Sequence, residues 1–129
     1  MKVYIAGPMT GYKNFNRETF ILMAGELERR KYQPLHTAYM PDGLPYEEYM
    51  EKSFELIDRA DAVYLLPKWY ASKGAVREIY FAHTKGIPIT ESLSMLEKFR
   101  SEMKRGNYMR TLEEINREIA NCEDRMHSN

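Results

Sequence analysis

Asp61-Ala62-Val63-Tyr64-Leu65-Leu66-Pro67, continued by Lys68-Trp69-Tyr70-Ala71-Ser72-Lys73-Gly74-Ala75-Val76-Arg77-Glu78, is the stretch whose reading decides the fold. Its first part is a short apolar run closed by Asp and Pro, the pattern of a buried strand. Gly74 to Lys85 reads as a helix, with Val76, Ile79, Tyr80 and Ala82–His83 along one side. The loop between them carries Trp69, Ser72 and Gly74. In an open α/β sheet, ligands bind just beyond the carboxyl ends of strands, where backbone N–H groups at helix starts attract anions. Ser72 and Gly74 fall at that position, and Glu78 projects from the first turns of the same helix.

Outward from this unit the same alternation repeats. Val3 to Ala6 is a β-branched and aromatic run, read as the first and central strand, and it ends in the loop Gly7-Pro8-Met9-Thr10-Gly11. Gly7 and Gly11 would let backbone approach a ligand closely, and Thr10 adds a hydroxyl. Taken alone, the loop is better explained as an ordinary strand-to-helix turn. Asn16 is placed to cap a helix from Arg17 to Lys31, with Phe20, Met23–Ala24 and Leu27 facing inward. Tyr32 to Thr37 is a weaker strand, interrupted by Pro34 and therefore at an edge.

Pro41-Asp42-Gly43 is turn chemistry, and Pro45 suits the first position of a helix reaching about Arg59. Tyr46, Tyr49–Met50, Ser53–Phe54 and Ile57 make its expected inner face. Gly86 signals a helix end before a fourth short strand, Ile87 to Thr90. The resulting β-α-β-α-β-α-β order predicts a three-layer, flavodoxin- or Rossmann-like parallel sheet of about four strands, in the order 2-1-3-4. That order sets the loops after the first and third strands side by side.

The composition shifts after residue 90, so 1–90 is read as a nucleotide-binding α/β domain and 91–129 as a helical C-terminal extension. Glu91 to Arg105 is polar and helical in pattern, and Thr111 with Glu114 makes a capping box. Tyr108, Leu112, Ile115, Ile119, Cys122 and Met126 then recur at three-four spacing. So narrow a stripe packs either on the domain or on another subunit, and oligomerisation is the favoured expectation.

Nineteen Lys and Arg balance nineteen Asp and Glu, so no global field favours polymeric nucleic acid or an anionic membrane. The single cysteine, Cys122, excludes an intramolecular disulfide framework and fits a reducing cytoplasm. No apolar run reaches transmembrane length, and the start is too short for a signal sequence. A cytoplasmic location is expected. His36, His83 and His127 are scattered, so no metal site is expected. Neither a G-x-G-x-x-G fingerprint nor a Walker loop is present, so no cofactor is expected either.

Tyr4, the Gly7–Gly11 loop, Ser72, Gly74 and Glu78 remain. A carboxylate beside a phosphate-like pocket, partly dried by Trp69 and Tyr4, has the means to attack the anomeric carbon of a sugar. Spacing alone leaves this level with a solvated helix charge at Glu78. Trp69 reads more readily as a lid over the core than as a stacking platform, and plain burial is the alternative for Tyr4.

The phrases Val3-Tyr4-Ile5-Ala6-Gly7-Pro8-Met9-Thr10-Gly11, Ala60-Asp61-Ala62-Val63-Tyr64-Leu65-Leu66-Pro67 and Ser72-Lys73-Gly74-Ala75-Val76-Arg77-Glu78 resemble the nucleoside 2-deoxyribosyltransferase superfamily. The nearest branch is the small DUF4406 group, common in phages and prophages, and the resemblance covers roughly residues 1 to 90. It implies that Glu78 is the nucleophile that cleaves an N-glycosidic bond and that Tyr4 positions it. It also implies that Gly7, Pro8, Met9, Thr10, Gly11, Trp69, Ser72, Gly74 and Ala75 surround the substrate.

In the superfamily's transferases the position of Ser72 is typically Asp, facing a sugar 5′-hydroxyl. In the related nucleoside-5′-monophosphate N-hydrolases it is Ser, facing the 5′-phosphate. The expected ligand is therefore a nucleoside 5′-monophosphate, or else a nucleoside, in a homodimer or higher homo-oligomer. Ser94 is matched to a serine that reaches the phosphate site from the second subunit.

One departure is chemical. Where the family carries an acid, eight positions before Asp61, this chain has Ser53, a poor general acid at neutral pH. Glu55, Asp58 or water would have to serve instead. Hydrolysis of a (deoxy)nucleoside 5′-monophosphate is the first expectation. Base exchange and non-catalytic nucleotide binding are the alternatives.

Overall fold

Alternation along the first strand sets the layers of the fold. In the computed structural model, which describes residues 1–104, β1 (Lys2–Ala6) runs between β2 (Gln33–Leu35) and β3 (Ala62–Leu65). β4 (Ile89–Thr90) joins the far side of β3, so the order is β2-β1-β3-β4 with every pair parallel. This is the predicted order. Pro34 lies on the edge strand β2, where its missing N–H is harmless.

Successive strand residues point to opposite faces. Val3 and Ile5 of β1 pack with Ala62 and Tyr64 of β3 in one apolar layer. Phe20 and Leu27 of α1 (Arg17–Arg29) and Leu96 of α4 (Leu93–Lys104) cover that layer. Tyr4 and Ala6 pack with Val63 and Leu65 in the other, under Ile57 of α2 (Tyr46–Asp58) and Ala82 of α3 (Lys73–Thr84). Tyr4 thus points towards α2 and α3, and this places its phenol in the site.

Three local readings are corrected. Asn16 precedes α1 as expected, but in a left-handed conformation with φ 61° and without capping the helix through its side chain. Its amide instead donates to the Pro8 carbonyl at 2.9 Å and its Oδ1 accepts from Thr19 at 2.8 Å, which ties the loop after β1 to α1. Pro45 is the residue before α2 rather than its first helical one.

The third correction concerns α3. Its buried residues are Ala75, Glu78 and Ala82, while Val76 and Tyr80 are 44% and 67% exposed. The helix is turned by about one residue from the apolar face expected for it. A carboxyl sits on the buried side.

The helix after residue 90 packs on the domain. Leu96 is fully buried, Tyr32 donates to Glu97 at 2.8 Å, and Arg100 lies 4.2 Å over the Tyr32 ring. Residues 93–104 therefore close the α1 face of the sheet. The expected capping box at Thr111 and the stripe from Tyr108 to Met126 lie outside the described residues.

Gly7 owes its identity to packing. A Cβ there would stand 2.7 Å from Leu66 Cβ and 2.8 Å from Leu66 Cδ1, and Leu66 is 1% exposed. Overpacking of this kind costs roughly 1–3 kcal/mol. Gly7→Ala is expected to lose that much stability in denaturant unfolding. A neutral result would mean that Leu66 can move aside freely.

Candidate active site

The Leu66 amide donates to the Ala6 carbonyl at 2.8 Å, so the loops after β1 and β3 leave the sheet together. Above them opens a cleft of about 610 Å³. Its walls come from Gly7 to Thr10 after β1, from 40–44 before α2, from Tyr46 and Tyr49 of α2, and from Ala71 to Ala75 with Glu78. This is the switch point of the sheet, where β1 sends chain to both sides.

Glu78 is 3% exposed, yet it belongs to the cleft wall. The Tyr4 hydroxyl, wholly buried beneath it, donates a hydrogen bond to Glu78 Oε2. Burial pushes the Glu78 carboxyl up to about 8, and the Tyr4 bond opposes only part of that rise. Burial, then the Glu78 charge, holds the Tyr4 phenol well above its ordinary range. Tyr4 therefore remains a donor and fixes one carboxyl oxygen.

Ser72 is the N-cap of α3, and its Oγ accepts from the Ala75 N–H at 3.2 Å. Accepting that bond leaves the hydroxyl proton free to point to an oxygen in the cleft. Gly74 and Ala75 line the same corner, at the positive end of the helix. A phosphate-sized anion placed there would meet a hydroxyl donor and the helix-start amides that the cap does not use.

Pro8, Met9 and Thr10 also reach the cleft wall, whereas Gly11 does not. Gly11 serves its turn, with φ 85°. Trp69 is likewise absent from the wall and packs against the Tyr4–Val63 layer, beside Tyr70. The core-lid alternative describes its position. Ser94 is exposed on the first turn of α4, its Oγ 2.8 Å from that of Ser92, and it does not line the cleft of its own chain.

Ser53 is fully buried on α2, with its hydroxyl donated at 3.1 Å to the Tyr49 carbonyl. It is not part of the cleft wall, and neither are Glu55 and Asp58. Those two are exposed, and Asp58 lies 3.8 Å from Lys85. Sequence reasoning missed Thr37 and treated Tyr49 as core. The Tyr49 hydroxyl is 2.5 Å from Thr37 Oγ1 and 2.8 Å from Met9 Sδ at the cleft wall. The available signal was the i, i+4 pair of polar atoms, Tyr49 and Ser53, on an otherwise apolar face.

A doubly wound α/β domain with a phenol-supported carboxyl and a capping serine across one switch-point cleft is the class that fold and site define. The chain belongs to the DUF4406 family: that family's model, described as a domain of unknown function, matches residues 1–91. No curated protein matches it. The matched span contains every residue of the cleft wall. Among the described residues, no helix is long and apolar enough to cross a membrane.

Proposed function

We propose that this chain is an N-glycosidase of the nucleoside 2-deoxyribosyltransferase superfamily that cleaves a (deoxy)nucleoside 5′-monophosphate. The observation that carries the reading is the Glu78 carboxyl, buried against the Tyr4 hydroxyl and opening into the cleft that also holds Ser72. Ser72 and the start of α3 anchor the phosphate. Glu78 attacks C1′ on the opposite side from the base, forming a glycosyl ester as the base departs. Water then opens the ester and returns the carboxylate; a second base in place of water would give exchange. Ser94 would act from a second copy of the chain.

A panel of nucleosides and their 5′-monophosphates, followed by chromatography for free base, tests this directly. Base released from monophosphates and lost in Glu78→Ala is the expected result. Release by Glu78→Ala at the wild-type rate would sink it.

The nucleophile must be ionised, and Glu78 is held near 8. Below that pH only the minority carboxylate reacts, so kcat/KM is expected to rise about tenfold per pH unit up to roughly pH 8. A profile flat from pH 5 to 8 would show that another group attacks.

The closure of Ser53 from the cleft favours a second reading, a protein that binds the nucleotide without cleaving it. Tight calorimetric binding without product, unchanged in Glu78→Gln, would mark it.

A further inference from the structure

We propose that the Tyr49 hydroxyl contacts the departing base, performing one helical turn earlier on α2 the task that Ser53 cannot reach; the inference rests on the glycosidase reading above. Residues 49 and 53 are four apart and so share a face, about 6 Å apart along the helix. The Ser53 hydroxyl is fully buried, donates to the Tyr49 carbonyl and does not line the cleft. On the same face, the Tyr49 hydroxyl reaches the cleft wall that holds Glu78.

The surroundings of this phenol suit a donor in waiting. Its near acceptor is Met9 Sδ, at 2.8 Å, and a thioether accepts only weakly. Turning to a ring nitrogen or carbonyl oxygen of a base exchanges a poor partner for a good one. Thr37 Oγ1, at 2.5 Å, can donate to the phenol oxygen and keep it aimed. Thr37 is 1% exposed, so that support is fixed by packing. Burial, then the Glu78 charge, pushes the Tyr49 phenol up to about 12, which leaves it a donor throughout the neutral range.

The step balances without proton transfer from tyrosine. As the bond from Glu78 to C1′ forms, the C1′–N bond breaks and its electron pair moves onto the base. The Tyr49 O–H donates a hydrogen bond into that charge and keeps its proton. When water opens the ester, its oxygen stays on C1′, Glu78 leaves as carboxylate, and the released proton reaches the base through solvent. Free base and sugar 5-phosphate result.

Tyr49→Phe keeps the packed ring and deletes the donor. On the best monophosphate of the panel, kcat is expected to fall about 10²-fold, the lower end for loss of one donor to a developing charge. On the same nucleotide with a halogenated base, a better leaving group, the loss should be several times smaller. A merely structural tyrosine would lower both rates by one factor. Equal losses, or none, overturn the role of Tyr49 and leave the glycosidase reading standing. A wild type that releases no base from any monophosphate overturns both.

Discussion

Glu78→Gln is expected to abolish base release, by on the order of 10⁴-fold or more, while making the folded protein more stable at alkaline pH. The two effects have one origin. A carboxyl kept from water sits near 8 where its ordinary value is 4.5, with burial as the leading cause. Because the folded value is raised, its favourable contribution is whole below about pH 4.5 and is lost as pH rises through 8. Between pH 5 and 8 the wild type should therefore lose about 3 kcal/mol on account of this group alone.

A glutamine in its place can still accept from Tyr4 and does not ionise, so its stability lacks that slope. Denaturant unfolding of both proteins at pH 5 and pH 8 reads the difference. An equal gap at the two pH values would mean that Glu78 meets water freely. Loss of turnover with the predicted slope would tie the instability of the carboxylate to its use as a nucleophile.

The same burial explains what the sequence displayed and what it hid. The strand order was legible because apolar runs, glycines and the edge proline all agree with it. The place of Ser72 beside the helix start was legible too, although its capping of α3 shows only in the structure. The face of α3 was misread because periodicity assumes that charge points outward. Glu78 occupies the centre of the buried face, between Ala75 and Ala82, and so shifted the apparent stripe towards Val76 and Tyr80.

The residue proposed as nucleophile broke the local rule, which is where such breaks are expected. Tyr49 was hidden differently: its ring obeys the core pattern, and only the fold reveals that its hydroxyl ends in the cleft. Gly7 read as an ordinary turn or as room for a ligand, whereas Leu66, remote in sequence, supplies a packing reason.

Ser72→Asp is expected to invert the ligand preference from nucleoside 5′-monophosphate to free nucleoside. Aspartate caps a helix as well as serine does, so α3 should keep its start and the protein its melting temperature. What changes is charge. Two unit charges at 4 Å repel by about 4 kcal/mol at a protein surface and about 1 kcal/mol in bulk water.

A phosphate seated against the new carboxylate should accordingly bind on the order of 10²-fold more weakly. A 5′-hydroxyl carries no charge and gains an acceptor, so nucleoside affinity should hold or improve. Calorimetric titration of wild type and variant with one nucleoside and its 5′-monophosphate separates the cases. If both ligands weaken by the same factor, Ser72 supports the loop without touching phosphate. If neither weakens, the phosphate lies elsewhere in the cleft, and the geometry that aims Glu78 at C1′ loses its anchor.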